Sequence, residues 1–309
     1  MCPNPFDIIG VILNPASGSW KHFPDAGTPD GRAKLISQWF EGADCRIYET
    51  RGPGDGERQA ALAATEGCTV VAAAGGDGTV REAISGLIHG SGLPLAIVPI
   101  GTANVLARAI GLPVGDIAAC ARIAVEGQER LLDVGLCNEI PFMLQAGIGL
   151  DGRVVRTVNK RIKEKLGAVA YVLNAISALC TATAPTCRIT WRGDDPGKCE
   201  MLAHQLIAAN FGLYGGAAQL GPLIDPTDGV LDLIVMQSAH SVRLRAAADC
   251  LALLRGGLLK RPSVLTHRFT SAEIECEPPA DVQLDGDWVC QTPVRITVLP
   301  QALRVRVSR

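Results

Sequence analysis

Thr69-Val70-Val71-Ala72-Ala73-Ala74-Gly75-Gly76-Asp77-Gly78-Thr79-Val80-Arg81-Glu82-Ala83-Ile84 decides the fold. An apolar run reads as a buried strand, Gly75 to Thr79 as a tight turn, and Val80 onward as the start of a helix. A parallel α/β sheet builds a phosphate site in that order. Glycine lets the backbone approach the anion, and the unpaired N–H groups of the helix start point toward it. Asp77 would repel a phosphate placed against it unless a cation lies between, so the turn suggests Mg²⁺ shared by protein and phosphates. The alternative is an ordinary glycine turn capped by Asp77.

Outward from this stretch the same order repeats. Phe6 to Leu13 reads as a strand ending in Asn14-Pro15-Ala16-Ser17-Gly18-Ser19. Helical spacing follows over Gly31 to Phe40, then a strand over Cys45 to Glu49 and a helix over Asp55 to Ala64. Gly92 to Val98 is the next strand, followed by Pro99-Ile100-Gly101-Thr102-Ala103-Asn104 and a helix that begins over Val105 to Ile110. Alternation of this kind predicts a parallel sheet whose strand-to-helix turns converge on one ligand-binding edge. From about Asp133 strand-like runs dominate: Phe142 to Ala146, Arg188 to Trp191, His204 to Ala209, Leu231 to Met236, Ser271 to Cys276 and Val294 to Leu299. A mainly antiparallel second domain with two helices is expected there.

Bulk properties narrow the function. The 309 residues carry a net charge of −2, which gives no electrostatic ground for nucleic-acid binding. Eleven cysteines form no C-x-x-C pair and the five histidines are isolated, so a reduced cytoplasmic chain without zinc spacing is expected. No charged and apolar leader marks a signal peptide. The uncharged stretch Leu166 to Cys187 approaches a membrane-spanning length, but Asn174, Ser177, several threonines and Pro185 make it a buried helix and its exit.

Several motifs have competing readings. Gly147-Ile148-Gly149-Leu150-Asp151-Gly152 matches the dinucleotide pattern G-x-G-x-x-G, yet no acidic residue follows about twenty positions on. The Walker A, protein-kinase and G-x-S-x-G patterns are missing. Asp225-Pro226-Thr227-Asp228-Gly229-Val230 offers two carboxylates for one hard cation, or a capped turn. Asp285-Gly286-Asp287 follows a strand and reads first as a hairpin turn.

Taken together, Asn14-Pro15-x-Ser17-Gly18, GGDGT at 75–79, Gly101-Thr102-Ala103-Asn104, Asp225-x-x-Asp228-Gly229 and Asp285-Gly286-Asp287 resemble the diacylglycerol kinase catalytic family. That family includes soluble bacterial lipid kinases, sphingosine kinases and ceramide kinases. The resemblance implies an α/β ATP-binding domain over 1–133, completed by a returning strand at about 297–309, and a β-sandwich-like lipid-substrate domain over 134–296. An active site in the cleft between them is implied. Asn14, Pro15, Ala16, Ser17, Gly18, Thr50, Gly75, Gly76, Asp77, Gly78, Thr79, Val80, Arg81 and Thr102 resemble the ATP-contacting positions. Asp225, Asp228 and the Val230 carbonyl resemble a structural Mg²⁺ site. Asp285 and Asp287 fall on the acidic pair that supplies the general base, usually Asp-Gly-Glu. Asp287 is shorter than that Glu, which makes Asp285 the preferred base. Asp77 would hold the catalytic Mg²⁺. Arg81 departs from the family's usual Asn.

The resemblance implies ATP- and Mg²⁺-dependent transfer to a lipid hydroxyl, with diacylglycerol or a related lipid as acceptor. A soluble lipid kinase must reach a membrane surface. Arg153, Arg156, Lys160 and Lys163 recur at helical spacing within a segment of net charge +5 over residues 153–165, so peripheral contact with anionic lipid is expected there. Leu258-Leu259-Lys260-Arg261-Pro262 is a weaker candidate of the same kind. Two rival readings are an NAD kinase, which shares the GGDGT loop and would use Asn138-Glu139, and a nucleotide-binding regulator without turnover.

Overall fold

The structure is a computed structural model that describes residues 7–157, 183–214, 218–221, 224–238 and 241–308. It divides into two compact units, Met1–Leu132 with Gln301–Arg309, and Asp133–Pro300. The chain leaves the first unit along β5 (Gln128–Cys137) and re-enters it along β17 (Val294–Val307).

In the first unit, β1 (Ile8–Leu13), β2 (Asp44–Glu49), β3 (Val70–Gly75) and β4 (Leu95–Pro99) form a parallel sheet in the order β2-β1-β3-β4. Val305 of β17 pairs with Leu95 in parallel and adds a fifth member. Every residue of β3 and β4 is buried, as parallel strands covered on both faces require. The apolar side chains of Ile9, Val11, Val70, Ala72 and Val98 pack with Ile36 of α1 (Pro29–Trp39) and Ala121 of α5 (Ile117–Glu126). Helices α2 (Asp55–Thr65) and α3 (Asp77–Leu87) pack on each other. The helix expected from Val105 is short, α4 (Val105–Ala109), because Gly111 and Pro113 stop it. Helix α5 then starts afresh, with the Asp116 carboxylate accepting the Ala119 N–H at 2.9 Å.

The second unit is an antiparallel sandwich. It contains β6 (Ile140–Phe142), β7 (Gln145–Gly149), α6 (Leu150–Thr157), β8 (Thr186–Arg192), β9 (Gly197–Ala209) and the short pair β10 (Leu213–Tyr214) and β11 (Ala218–Gln219). Then come β12 (Leu231–Gln237), α7 (Val242–Leu254), β13 (Val264–Phe269), β14 (Ser271–Glu277), β15 (Asp281–Leu284) and β16 (Asp287–Gln291). The first half of β9 pairs with β8, and its second half pairs with β7 and β12. One long strand therefore serves both layers. Ile189, Trp191, Ile274 and Ile296 of one layer meet Ile148, Leu206, Val235 and Val282 of the other.

The single strand expected over Phe142 to Ala146 is broken in the structure at Met143 and Leu144. Their N–H groups donate to the carboxylate of Asp285, which removes them from any ladder. Most of the stretch Leu166 to Cys187 lies outside the described residues, as do Lys160 and Lys163. Among the described residues no helix is long and apolar enough to cross a membrane.

Candidate functional site

Three loops meet at the carboxyl ends of β1, β3 and β4. The Asn14 amide nitrogen donates to Thr79 Oγ1 at 2.9 Å, and its oxygen accepts the Ala16 N–H at 2.9 Å. The loop from Asn14 to Gly18 is thus folded by its own asparagine and tied to the GGDGT turn. Trp20 closes it from below, with its indole N–H on the Asn14 carbonyl at 2.8 Å. Thr50 is buried beside it and donates its N–H to the Leu13 carbonyl at 2.8 Å. Pro15 and Ser17 are half-buried, whereas Ala16, Gly18, Gly78 and Thr102 are exposed.

The second tie runs between GGDGT and GTAN. The N–H groups of Ile100 and Gly101 both donate to the Gly75 carbonyl, at 3.0 and 3.1 Å. A Cβ on Gly101 would lie 2.4 Å from the Gly76 Cα, so two backbones touch where neither has a side chain. Asn104 adopts a left-handed conformation (φ 48°), accepts the Gly101 N–H at 3.0 Å and returns its amide to the Pro99 and Gly101 carbonyls. Asp77 reaches across to the start of α4, where Oδ1 accepts the Leu106 N–H at 3.3 Å. Burial pushes the Asp77 carboxyl up, against the pull of the amides of Leu106, Val105 and Asn104. Val80 packs inward and Arg81 is half-buried on α3. The first-turn amides of α3 lack intrahelical partners and face the end where anions bind. Sequence reasoning missed Glu82, whose carboxylate accepts the N–H groups of Gly54 and Gly56 at 2.7 and 2.9 Å and fixes the start of α2.

In the second unit, Asp285 (φ 50°) and Gly286 (φ 91°) form the two-residue turn between β15 and β16. Two successive positive φ values give the turn type whose twist suits a hairpin. Asp285 Oδ2 accepts the Met143 N–H at 2.7 Å, and Oδ1 accepts those of Leu144 and Gln145 at 2.8 and 2.9 Å. Its own N–H donates to the Gln145 carbonyl at 3.1 Å. Asp285 therefore clamps the hairpin to the segment before β7. Asp287, two residues on, is exposed at the first position of β16.

The turn at 225–230 is held in a different way from the metal site that the resemblance implies. Asp225 Oδ1 takes the N–H and hydroxyl of Thr227, at 3.0 and 2.7 Å. Asp228 Oδ1 takes the Val230 N–H at 3.2 Å, and its Oδ2 is ion-paired with the Arg268 guanidinium. A cation already faces Asp228, and among the described residues no group of three His, Cys, Asp or Glu side chains is placed to hold a metal. Both carboxylates are thus engaged within the chain, Asp225 by Thr227 and Asp228 by Arg268. Buried Asp133, which the sequence reading passed over, accepts the Gly229 N–H at 2.7 Å. Buried Asn210 donates to the carbonyls of Asp133 and Met143, both at 2.9 Å, and so links this turn to the segment that Asp285 holds.

Other motifs serve the fold. Gly147 lies against the Asp151 carboxylate, to which Tyr214 and Gln283 donate at 2.9 and 3.0 Å, so the G-x-G-x-x-G stretch encloses an acid. Burial pushes the Asp151 carboxyl up. Asn138 and Glu139 form a tight turn (φ 46° and 69°) in which Asn138 bonds the backbone of Arg295. Arg156 pairs with Asp281 at 2.9 Å and lies over the Trp288 ring. His204 is buried between Ser238 and Asp249, and burial together with Arg245 pushes its imidazole down to about 4.

The comparisons with known proteins bear on this geometry. Residues 9–137 match the family described as "Diacylglycerol kinase catalytic domain", and residues 145–307 match the "YegS C-terminal NAD kinase beta sandwich-like domain". A Pseudomonas aeruginosa protein named "Probable lipid kinase YegS-like" is 31% identical over 292 residues, 93% of this chain and 92% of its own. The chain belongs to the diacylglycerol kinase family of lipid kinases. An uncharacterized Synechocystis protein is 31% identical over 246 residues, and the chain spans 55% of that relative's length and 78% of its own. The fold is that of a "putative diacylglycerol kinase" from Bacillus anthracis, with a TM-score of 0.78, 24% identity, and coverage of 98% of this chain and 95% of that one. Relatives in this family carry kinase names, which fits a phosphotransferase.

Proposed function

We propose that this chain transfers the γ-phosphate of ATP, taken up as its magnesium complex, to a lipid hydroxyl, with diacylglycerol as the first acceptor to test. The observation that carries the reading is the meeting of the Asn14, GGDGT and GTAN loops at the carboxyl ends of β1, β3 and β4. Such a surface offers backbone N–H groups and a helix start to phosphate oxygens. Asp77 acts as a positioning residue, because its oxygen fixes the start of α4. Phosphoryl transfer asks mostly for alignment and charge neutralisation.

The acceptor hydroxyl forms a bond to the γ-phosphorus as the bond to the bridging oxygen breaks, and ADP leaves. The hydroxyl proton must go to a base. Asp285 is poorly suited, since three N–H donors already hold its two oxygens as the clamp of the hairpin. Exposed Asp287 is therefore the proposed proton acceptor, and Asp285 the residue that sets the turn which presents it. Of the rival readings, the NAD kinase one loses its support at Asn138 and Glu139, which form a turn bonded to Arg295.

The test is transfer of radiolabelled γ-phosphate from ATP to a lipid panel, followed by separation of the products. A labelled lipid that disappears with Asp287→Asn is the expected result. Thermal stabilisation by ATP with no labelled lipid would reject the lipid acceptor and leave the regulator reading.

A further inference from the structure

Helix α7 exposes leucine where a surface helix ordinarily carries polar residues. Leu244 and Leu254 are each 74% exposed and Leu251 is 47% exposed. At 100° per residue, positions 244, 251 and 254 fall within one side of the helix, with exposed Ala247 among them. The opposite side is already satisfied: Ala246 is buried, and Leu253 packs on the cluster of Ile207, Ile234 and Met236. Among the described residues, the outward stripe has no partner.

Its charge is one-sided. Arg243 and Arg255, both exposed, flank the leucines. The only acid of the helix, Asp249, is 1% exposed and points inward to Arg261 and His204. Just beyond the helix, Leu259 and Lys260 are also exposed and extend the apolar-and-basic surface. Scattered exposed leucines are ordinary, but a stripe of three bordered by arginines with no outward carboxylate is an apolar-and-basic face that an anionic membrane surface can take.

We infer that α7 docks this protein on an anionic phospholipid bilayer, with Leu244, Leu251 and Leu254 entering the acyl boundary and Arg243 and Arg255 meeting headgroup phosphates. Charge complementarity selects this occupant. A second copy packed across a two-fold axis would bring arginine toward arginine, whereas an anionic surface neutralises both. The choice of a bilayer rests on the proposed lipid acceptor, but docking requires neither ATP nor turnover.

The experiment is co-sedimentation of the full chain with phosphatidylcholine vesicles, with and without phosphatidylglycerol, in the absence of ATP. Wild type is expected to bind the anionic vesicles more tightly and to release with salt. Leu244→Ser with Leu254→Ser should lower the partition coefficient about tenfold or more, with no change in melting temperature. Arg243→Gln and Arg255→Gln should each lower it about fivefold on anionic vesicles only. Turnover of a detergent-dispersed acceptor should survive in all four substitutions. Equal partition of wild type and the leucine variant would overturn the inference, as would binding indifferent to anionic lipid. A wild-type dimer that the leucine variant converts to monomer would also overturn it, by making the stripe an interface between copies. Vesicle binding that needs the leucines, in a protein that labels no lipid, would uphold the docking and sink the proposed reaction alone.

Discussion

The GGDGT turn of the first unit and the Asp285-Gly286-Asp287 turn of the second both set aspartate beside glycine, yet they use it differently. Asp77 lies amid backbone that could scarcely take another shape: Gly76 and Gly101 touch, and on the proposed reading the free amides at the start of α3 would be the working groups. Asp285 does the opposite. Its carboxylate is the working group, and it organises the backbone of Met143, Leu144 and Gln145. A site made of backbone is protected by having no side chains in the way. A site made of carboxylates depends on what each carboxylate holds in place.

The contrast is most exposed to failure at the adjacent aspartates. Asp287→Asn is expected to lower kcat about 10²–10⁴-fold with unchanged melting temperature, as loss of a general base does. Asp285→Ala should instead cost about 3 kcal/mol in urea unfolding, because three N–H groups lose a charged acceptor. If Asp285→Ala leaves stability intact, the roles of the two residues are reversed. On the side of the first unit, Gly101→Ala should cost about 2 kcal/mol and weaken ATP binding measured by calorimetry, since its Cβ would strike the Gly76 backbone. Unchanged affinity there would mean that the loop contact is incidental to the nucleotide.

Two further effects sharpen the second unit's part of the comparison. With Arg268 paired to Asp228, Mg²⁺ and EDTA should leave the melting temperature of the nucleotide-free protein alike. Arg268→Met should lower it, by about 1 kcal/mol in unfolding free energy, and a rise with Mg²⁺ in the wild type would restore the metal reading. His204 supplies a pH test. Its folded value near 4 lies below the ordinary histidine value, so the unfolded chain binds the proton more readily. Stability should be fully present above about pH 6.5 and fall as pH drops toward 4, by about 3 kcal/mol in all. Urea midpoints of His204→Gln that show the same slope would remove His204 from the account.

Legibility followed the same divide. The parallel sheet and its loops could be read because each strand, glycine turn and helix is contiguous, from Val70 through Leu87 for example. The glycine turns at the ends of β3 and β4 came into view for the same reason. The partners of the carboxylates did not: Met143 lies 142 positions from Asp285, Arg268 lies 40 from Asp228, and Gly229 lies 96 from Asp133. No local pattern marks which oxygen such a donor will occupy. That is why the strand break at Met143 and the guanidinium at Asp228 had to be seen. Helix α7 was obscured by composition, since leucine on both faces looks like a core helix until burial separates them.

The pairing of Val305 with Leu95 sets an order of events during synthesis. One edge of β4 is closed by β3 soon after both emerge from the ribosome, but the other edge meets its partner only after some two hundred further residues have been translated. Throughout that interval a fully apolar strand presents unpaired N–H and C=O groups to any passing chain. The nascent protein is thus most open to aggregation while its second unit is being made. A chaperone that shields one strand edge would guard it through that interval.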